Sequence, residues 1–289
     1  MEQTAQFKCD GQRLYGILHL PDRPQVIERV VLMVVGGPQT RIGSHRLYVQ
    51  LARFLCMQGI AVFRFDYAGI GDSESAWRGY KFAGPSISAA IDFLFKEIPL
   101  LKDVILWSLC DGATACAVFV HHEQPRIAGM ILCNPYLHSA ASQAKTILRH
   151  YYGRRLLQKD FWQKALALRL NMRDSLVSFG GLVKQSQNSN GRAAAAHRPD
   201  EYAIEIHPDA LVSGLASFRR PIHFLLSTAD LTARQFRDFC KRQTKLQKAF
   251  KTRRYTIDYV EAADHTFSDN QAKQLLFLRT LAALNSIED

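Results

Sequence analysis

Cys110 stands at the centre of Ser108-x-Cys110-x-Gly112, directly after the short apolar run Val104-Ile105-Leu106-Trp107 and directly before a stretch of small, helix-forming residues. That is the pattern of a nucleophile elbow, G-x-S-x-G, with Cys in place of Ser and Ser in place of the first Gly. The outer positions must be small because strand and helix approach closely there, and Ser is the next size up from Gly. Two later residues fit the same chemistry. Asp230 follows the run ending at Ser227, and His265 follows the run ending near Val260, within Ala263-Asp264-His265-Thr266-Phe267. The chain order nucleophile, acid, histidine differs from the orders of the chymotrypsin and subtilisin types. In such a triad His265 takes the thiol proton and later activates water, Asp230 holds the imidazole tautomer and stabilises its cation, and Cys110 forms the acyl-enzyme.

Acyl chemistry also needs an oxyanion hole with two donors. The backbone N–H of Asp111, the residue after the nucleophile, is one. The other is expected from the loop Gly36-Gly37-Pro38-Gln39, where Pro38 has no N–H, so Gly37 or Gln39 must donate; Gly37 is preferred. A thiol at a helix N-terminus beside an imidazolium ionises more readily than a free one. Its acyl-enzyme is itself a thioester, still activated toward alcohols and amines, so hydrolysis and acyl transfer are both open outcomes. His45 and Arg46, beside the oxyanion loop, are candidate contacts for an anionic substrate head, although a solvated helix start accounts for them equally well. Asp238 is a reserve acid, made the poorer by its place inside a predicted helix. Cys116 and Cys133 read as small core hydrophobes.

These residues must be held by strand ends. Arg13 to His19 alternates like an outer antiparallel strand, whereas Val30 to Val35 is apolar throughout, as in a strand covered on both faces. Further strands are predicted over Ile60 to Phe65, Val104 to Trp107, Ala128 to Cys133, Pro221 to Leu226 and Arg253 to Val260. Helices are predicted over Leu47 to Met57, Phe82 to Lys96, Ala113 to Val120, Ala233 to Phe250 and Asn270 to Leu284. Strand alternating with helix implies a mostly parallel central sheet flanked by helices, an α/β architecture with ligands at the carboxyl ends of the strands. Ser139 to Arg220 interrupts the alternation with a largely helical, amphipathic stretch. The expected organisation is a core in two parts, 1–138 and 221–289, with a helical basic cap over 139–220.

Formal net charge is +11, and its distribution says more than its size. Between Lys145 and Arg198 eleven Lys and Arg stand against two acids, Asp160 and Asp174, so the predicted cap carries +9. A solvated face is the simpler reading, with peripheral contact to an acidic surface or an anionic substrate as the alternatives. No nucleic-acid module appears. The polar start and the lack of any window of about 18 apolar residues argue against a secretory leader and a spanning helix, so a cytoplasmic location is expected. The six cysteines are scattered, without C-x-x-C or metal-ligand spacing, which points to free thiols and to no metal or other cofactor.

Several stretches resemble one family, the exosortase A system-associated hydrolases of type 1. They are Val34-Val35-Gly36-Gly37-Pro38-Gln39-Thr40-Arg41-Ile42-Gly43-Ser44-His45-Arg46, Arg64-Phe65-Asp66-Tyr67-Ala68-Gly69-Ile70-Gly71-Asp72-Ser73, Leu106-Trp107-Ser108-Leu109-Cys110-Asp111, and in the cap His150-Tyr151-Tyr152 with Leu156 to Trp162. The resemblance implies an α/β-hydrolase fold and a bacterial enzyme encoded with exopolysaccharide and protein-sorting genes. Ser108 departs from it, standing where the family usually has Gly. Two function classes follow: an acyl hydrolase or acyltransferase acting on a small-molecule or carrier-linked ester or thioester, and a non-catalytic binding protein on a hydrolase scaffold. Substituting Cys110 separates them.

Overall fold

The apolar runs of the sequence lie side by side in one eight-stranded sheet. In the computed structural model, which describes residues 1–22, 26–37, 39–77, 83–120, 124–137, 208–252 and 254–288, the strands are β1 (Glu2–Cys9), β2 (Gln12–His19), β3 (Arg29–Val34), β4 (Ala61–Phe65), β5 (Asp103–Leu109), β6 (Ile127–Cys133), β7 (Ile222–Ser227) and β8 (Tyr255–Val260). Their spatial order is β1-β2-β4-β3-β5-β6-β7-β8. β1 and β2 are antiparallel to each other, β2 is antiparallel to β4, and every later pairing is parallel. This is the α/β-hydrolase fold. Strands β4, β5, β6 and β7 are buried almost end to end, as a sheet covered on both faces requires.

Register sets the stage for chemistry. Val34 pairs with Ser108, Leu109 with Cys133, Cys133 with Leu225, and Ser227 with Val260, so β3, β5, β6, β7 and β8 all finish along one edge. The helices are α1 (Leu47–Met57), α2 (Ala83–Glu97), α3 (Asp111–Phe119), α4 (Pro208–Ser217), α5 (Leu231–Cys240), α6 (Thr244–Phe250) and α7 (Asn270–Glu288). α1 meets α7 through Phe54 and Phe277, whose rings lie 5.4 Å apart. Trp107 of β5 is fully buried between these two helices. Its Nε1 donates to Thr280 Oγ1 of α7 at 3.2 Å, and its ring meets that of Tyr48 of α1 edge-on at 5.2 Å. The strand that presents the elbow is thereby anchored just before it turns.

Three features depart from expectation. β1 is a strand of polar sequence whose only inward residues are Ala5, Phe7 and Cys9; three apolar positions at a period of two are a weak signal beside Glu2, Gln3, Gln6 and Lys8. The helix predicted over Ala233 to Phe250 is two helices, because Gln243 is extended (φ −98°, ψ 104°) and the chain turns through Lys241 to Gln243 before α6 begins. α4, inside the stretch assigned to the cap, packs on α3: a Cβ on Gly214 would stand 1.9 Å from the Ala117 carbonyl oxygen. Its buried Leu211, Val212 and Leu215 make it part of the core, and Tyr202–Asp289 belongs to the same compact unit as Met1–Tyr136. Residues 139–207 of the predicted cap, with the basic stretch from Lys145 to Arg198, lie outside the described residues.

Candidate active site

Cys110 occupies the turn between β5 and α3 with φ 64° and ψ −131°, outside the ordinary helical and extended regions. Such a bend, costly for a residue with a side chain, lifts the thiol off the end of the sheet. The bend persists because its surroundings over-determine it. Cys110 N donates to Cys133 O at 3.0 Å, and Cys110 O accepts from Ala113 N at 3.1 Å and Tyr136 N at 3.2 Å. Ser108, unusual for such an elbow, is fully buried and donates to Val34 O at 2.5 Å, so its hydroxyl is satisfied within the tight space. Gly112 faces it: a Cβ there would stand 2.4 Å from Ser108 Oγ and 2.6 Å from Val35 O. The extra size at position 108 is thus accommodated by a hydrogen bond and by glycine opposite.

Asp230 is the N-cap of α5. Its Oδ1 accepts from Thr232 N at 3.1 Å and its Oδ2 from Ala233 N at 3.0 Å, and the same Oδ2 lies 2.8 Å from His265 Nδ1. The helix start therefore fixes the carboxylate, and the carboxylate fixes the ring. Thr228 and Ala229 bind the two loops together, through Ala262 N to Thr228 Oγ1 at 2.8 Å and Ala229 N to Ala263 O at 3.2 Å. Cys110 is a second hydrogen-bond partner of the His265 side chain. Burial by itself would depress the imidazole's pKa, but the Asp230 carboxylate and the Cys110 sulfur outweigh it and hold His265 up to about 10. The three sequence candidates are thus brought together around one ring, and the ring carries the proton through neutral pH. Asp238, the reserve acid, is buried within α5, and the partner of His265 is Asp230.

The oxyanion candidates converge as well, with an addition that the sequence did not reveal. Gln39 N donates to Gly36 O at 3.4 Å, closing a turn, whereas the Gly37 N–H faces the site around Asp111. What it meets there is the side chain of Asp111, whose carboxylate faces the backbone N–H groups of Gly112, Gly37 and Asp111 itself. Arg41 holds the loop in place: its N–H donates to Asp66 Oδ1 at 2.5 Å, and its guanidinium pairs with Asp66 and Asp72 in the glycine-rich loop after β4. His45 and Arg46 are exposed, both with left-handed backbone (φ 53° and 59°). Against the rise that burial brings, Ser268 and the backbone of Thr266 hold the Asp264 carboxyl low, with a smaller part from His45.

Asn134, just past β6, is a positioning residue that the sequence reading treated only as a strand stop. Fully buried, it donates from Nδ2 to Ser227 Oγ at 2.8 Å and to His265 O at 3.0 Å, and its Oδ1 accepts from Ser227 N at 2.8 Å. It ties the end of β7 to the backbone of the histidine. An asparagine directly before proline at a strand end was the available signal. Asn134→Ala strands the buried Ser227 N–H and is expected to lower stability by roughly 1–3 kcal/mol; urea denaturation checks it, and a change under about 0.5 kcal/mol contradicts it.

Comparison with family models matches residues 28–239 to a hydrolase family described as serine aminopeptidase, S33. The chain belongs to this S33 hydrolase family. Within the S33 family, whose description names serine, this member carries Cys110 at the elbow. No curated protein sequence matches it. Among solved structures, this S33 hydrolase is similar to an esterase of Pyrococcus furiosus (TM-score 0.65, 12% identity, covering 99% of this chain and 91% of that one). It is similar also to Est1E of Butyrivibrio proteoclasticus, solved with ferulic acid bound (TM-score 0.62, 14% identity, 97% and 99% covered). A proline iminopeptidase of Mycobacterium smegmatis is a further match (TM-score 0.57, 14% identity, 98% and 97% covered). At these identities the likeness is one of fold. No described helix is long and apolar enough to cross a membrane.

Proposed function

We propose that the chain is an acyl hydrolase of ester or thioester bonds in which Cys110 is the nucleophile, His265 the base and Asp230 the group that orients it. One observation carries the reading: a single imidazole is bonded through Nδ1 to a capped carboxylate at 2.8 Å and has the Cys110 thiol as a further hydrogen-bond partner. In the acylation step the Cys110 sulfur attacks the substrate carbonyl carbon, and the carbonyl oxygen takes the negative charge toward the N–H groups of Gly37 and Asp111. His265 gives its proton to the departing alcohol or thiol. A water, deprotonated by His265, then attacks the thioester carbon, the C–S bond breaks, and the acid leaves. An alcohol or amine entering in place of water completes acyl transfer by the same steps. Esterases stand among the structural neighbours, which supports ester chemistry. The motif stretches around Gly37, Asp66 and Cys110 support a place among the exosortase A system-associated hydrolases, and hence a bacterial role beside exopolysaccharide and protein sorting, with a small or carrier-linked acyl substrate.

Thiol reactivity tests the assignment of the nucleophile. Burial pushes the thiols of Cys9, Cys56, Cys116, Cys133 and Cys240 up, whereas Cys110 is only partly buried and faces an imidazolium. Iodoacetamide at pH 7 is therefore expected to label one thiol, Cys110, at least about tenfold faster than the rest, and His265→Ala to slow that labelling by a similar factor. Peptide mapping that finds another cysteine labelled first would refute it.

A further inference from the structure

We propose that the side chain of Asp111 is a proton-operated gate on the oxyanion site: as a carboxylate it occupies the pocket meant for the substrate's carbonyl oxygen, and as a neutral acid it gives that pocket up. The inference rests on Cys110 being the nucleophile.

The geometry comes first. The N–H groups that sequence and fold together assign to the oxyanion, those of Gly37 and Asp111, are turned toward the Asp111 carboxylate, and Gly112 N–H joins them. Gly36 makes the room: a Cβ there would stand 2.4 Å from Asp111 Oδ1, while Gly37 lies in ordinary contact with the same carboxylate, its Cβ position 3.5 Å from Oδ2. The pocket thus already holds an anion, and the anion belongs to the enzyme. Asp111 is buried, at 9% exposed.

While that carboxylate is ionised, a substrate carbonyl finds its donors taken, and the charge developing on its oxygen would face a like charge. Once protonated, the group binds the backbone N–H groups far more weakly and can itself donate an O–H to the forming oxyanion. Groups whose fields meet Asp111 are His265 from the loop after β8, Tyr48 of α1 and Tyr67 from the loop after β4, with Cys110 adjacent in the same turn. Burial raises the Asp111 carboxyl, the three N–H groups and the His265 cation partly offset that rise, and the balance lies at about 6. The carboxyl is therefore mostly neutral below pH 6 and mostly ionised above it.

The test separates the gate from the supply of thiolate. Alkylation of Cys110 by iodoacetamide needs no oxyanion hole, whereas acylation by p-nitrophenyl acetate does. The single-turnover acylation rate divided by the alkylation rate, measured from pH 5 to 9, cancels the ionisation of the sulfur. In the native enzyme this ratio is expected to fall by about tenfold per pH unit above pH 6. In Asp111→Asn, a neutral side chain of the same size, it should stay level and exceed the native value at least about tenfold at pH 8. A level ratio in the native enzyme overturns the gate whatever the variant does, as does an Asp111→Asn ratio at pH 8 no higher than the native one. Acyl release that survives Cys110→Ala would instead strike at the nucleophile, leaving a different signature.

Discussion

Replacing Cys110 with alanine is expected to lower the turnover of p-nitrophenyl esters by about three to six orders of magnitude, with the protein still folded. Among the described residues the thiol's hydrogen bond is that with His265; the hydrogen bonds defining the turn run from the backbone N and O of residue 110 to Cys133, Ala113 and Tyr136. Alanine also tolerates φ 64° no worse than cysteine does, since both carry one Cβ. Loss of activity at constant thermal midpoint therefore isolates the chemistry of the sulfur. It also divides the two function classes: a binding protein on a hydrolase scaffold would keep partner binding and show no native turnover to lose. Turnover of Cys110→Ala within tenfold of the native rate would remove the triad from the account.

Asp230→Asn is expected to cost about two to four orders of magnitude in kcat with little change in KM. Asparagine caps a helix as well as aspartate does, so α5 should persist. The side-chain oxygen must then serve Thr232 and Ala233 N–H, leaving the amide NH2 to face His265 Nδ1. That fixes the wrong tautomer and removes the anion that supports the cation. A pH signature accompanies the loss. The native pKa of His265, about 10, lies above the usual imidazole value of 6.5, so the pairing contributes stability that is complete below pH 6.5 and disappears as pH rises through 10. The stability difference between native protein and Asp230→Asn, from denaturant titrations, should shrink across that interval; a difference that grows with pH would contradict the pairing.

Much of the site was legible because each chemical group follows a strand end. Cys110, Asp230 and His265 lie in the loops after β5, β7 and β8, and a parallel sheet has to bring such loops to one edge. Side-chain direction was not legible in the same way. For Asp111 the sequence points to the backbone N–H alone, since nothing in the local pattern shows that Gly36, on a different loop, leaves room for its carboxylate. Arg41, Asp66 and Asp72 were visible only as members of motifs; the clamp they form needs two loops separated by a helix and a strand. Asn134 looked like punctuation because its partners, Ser227 and His265, lie 93 and 131 residues away. Among the elements, α1 matched its predicted bounds, where the apolar period is strong. β1 and the break between α5 and α6 were missed because three inward residues, or three polar ones in a helical context, barely alter a pattern.

Acyl groups are expected to pass through the sulfur of Cys110. Intact-mass and peptide analysis after brief exposure to a p-nitrophenyl acyl ester tests it most directly. One acyl unit is expected, on the peptide holding Cys110, cleaved by neutral hydroxylamine as a thioester is and absent from Cys110→Ala. An adduct on another residue, or steady turnover with no adduct on Cys110 in rapidly quenched samples of either the native enzyme or His265→Ala, would contradict it.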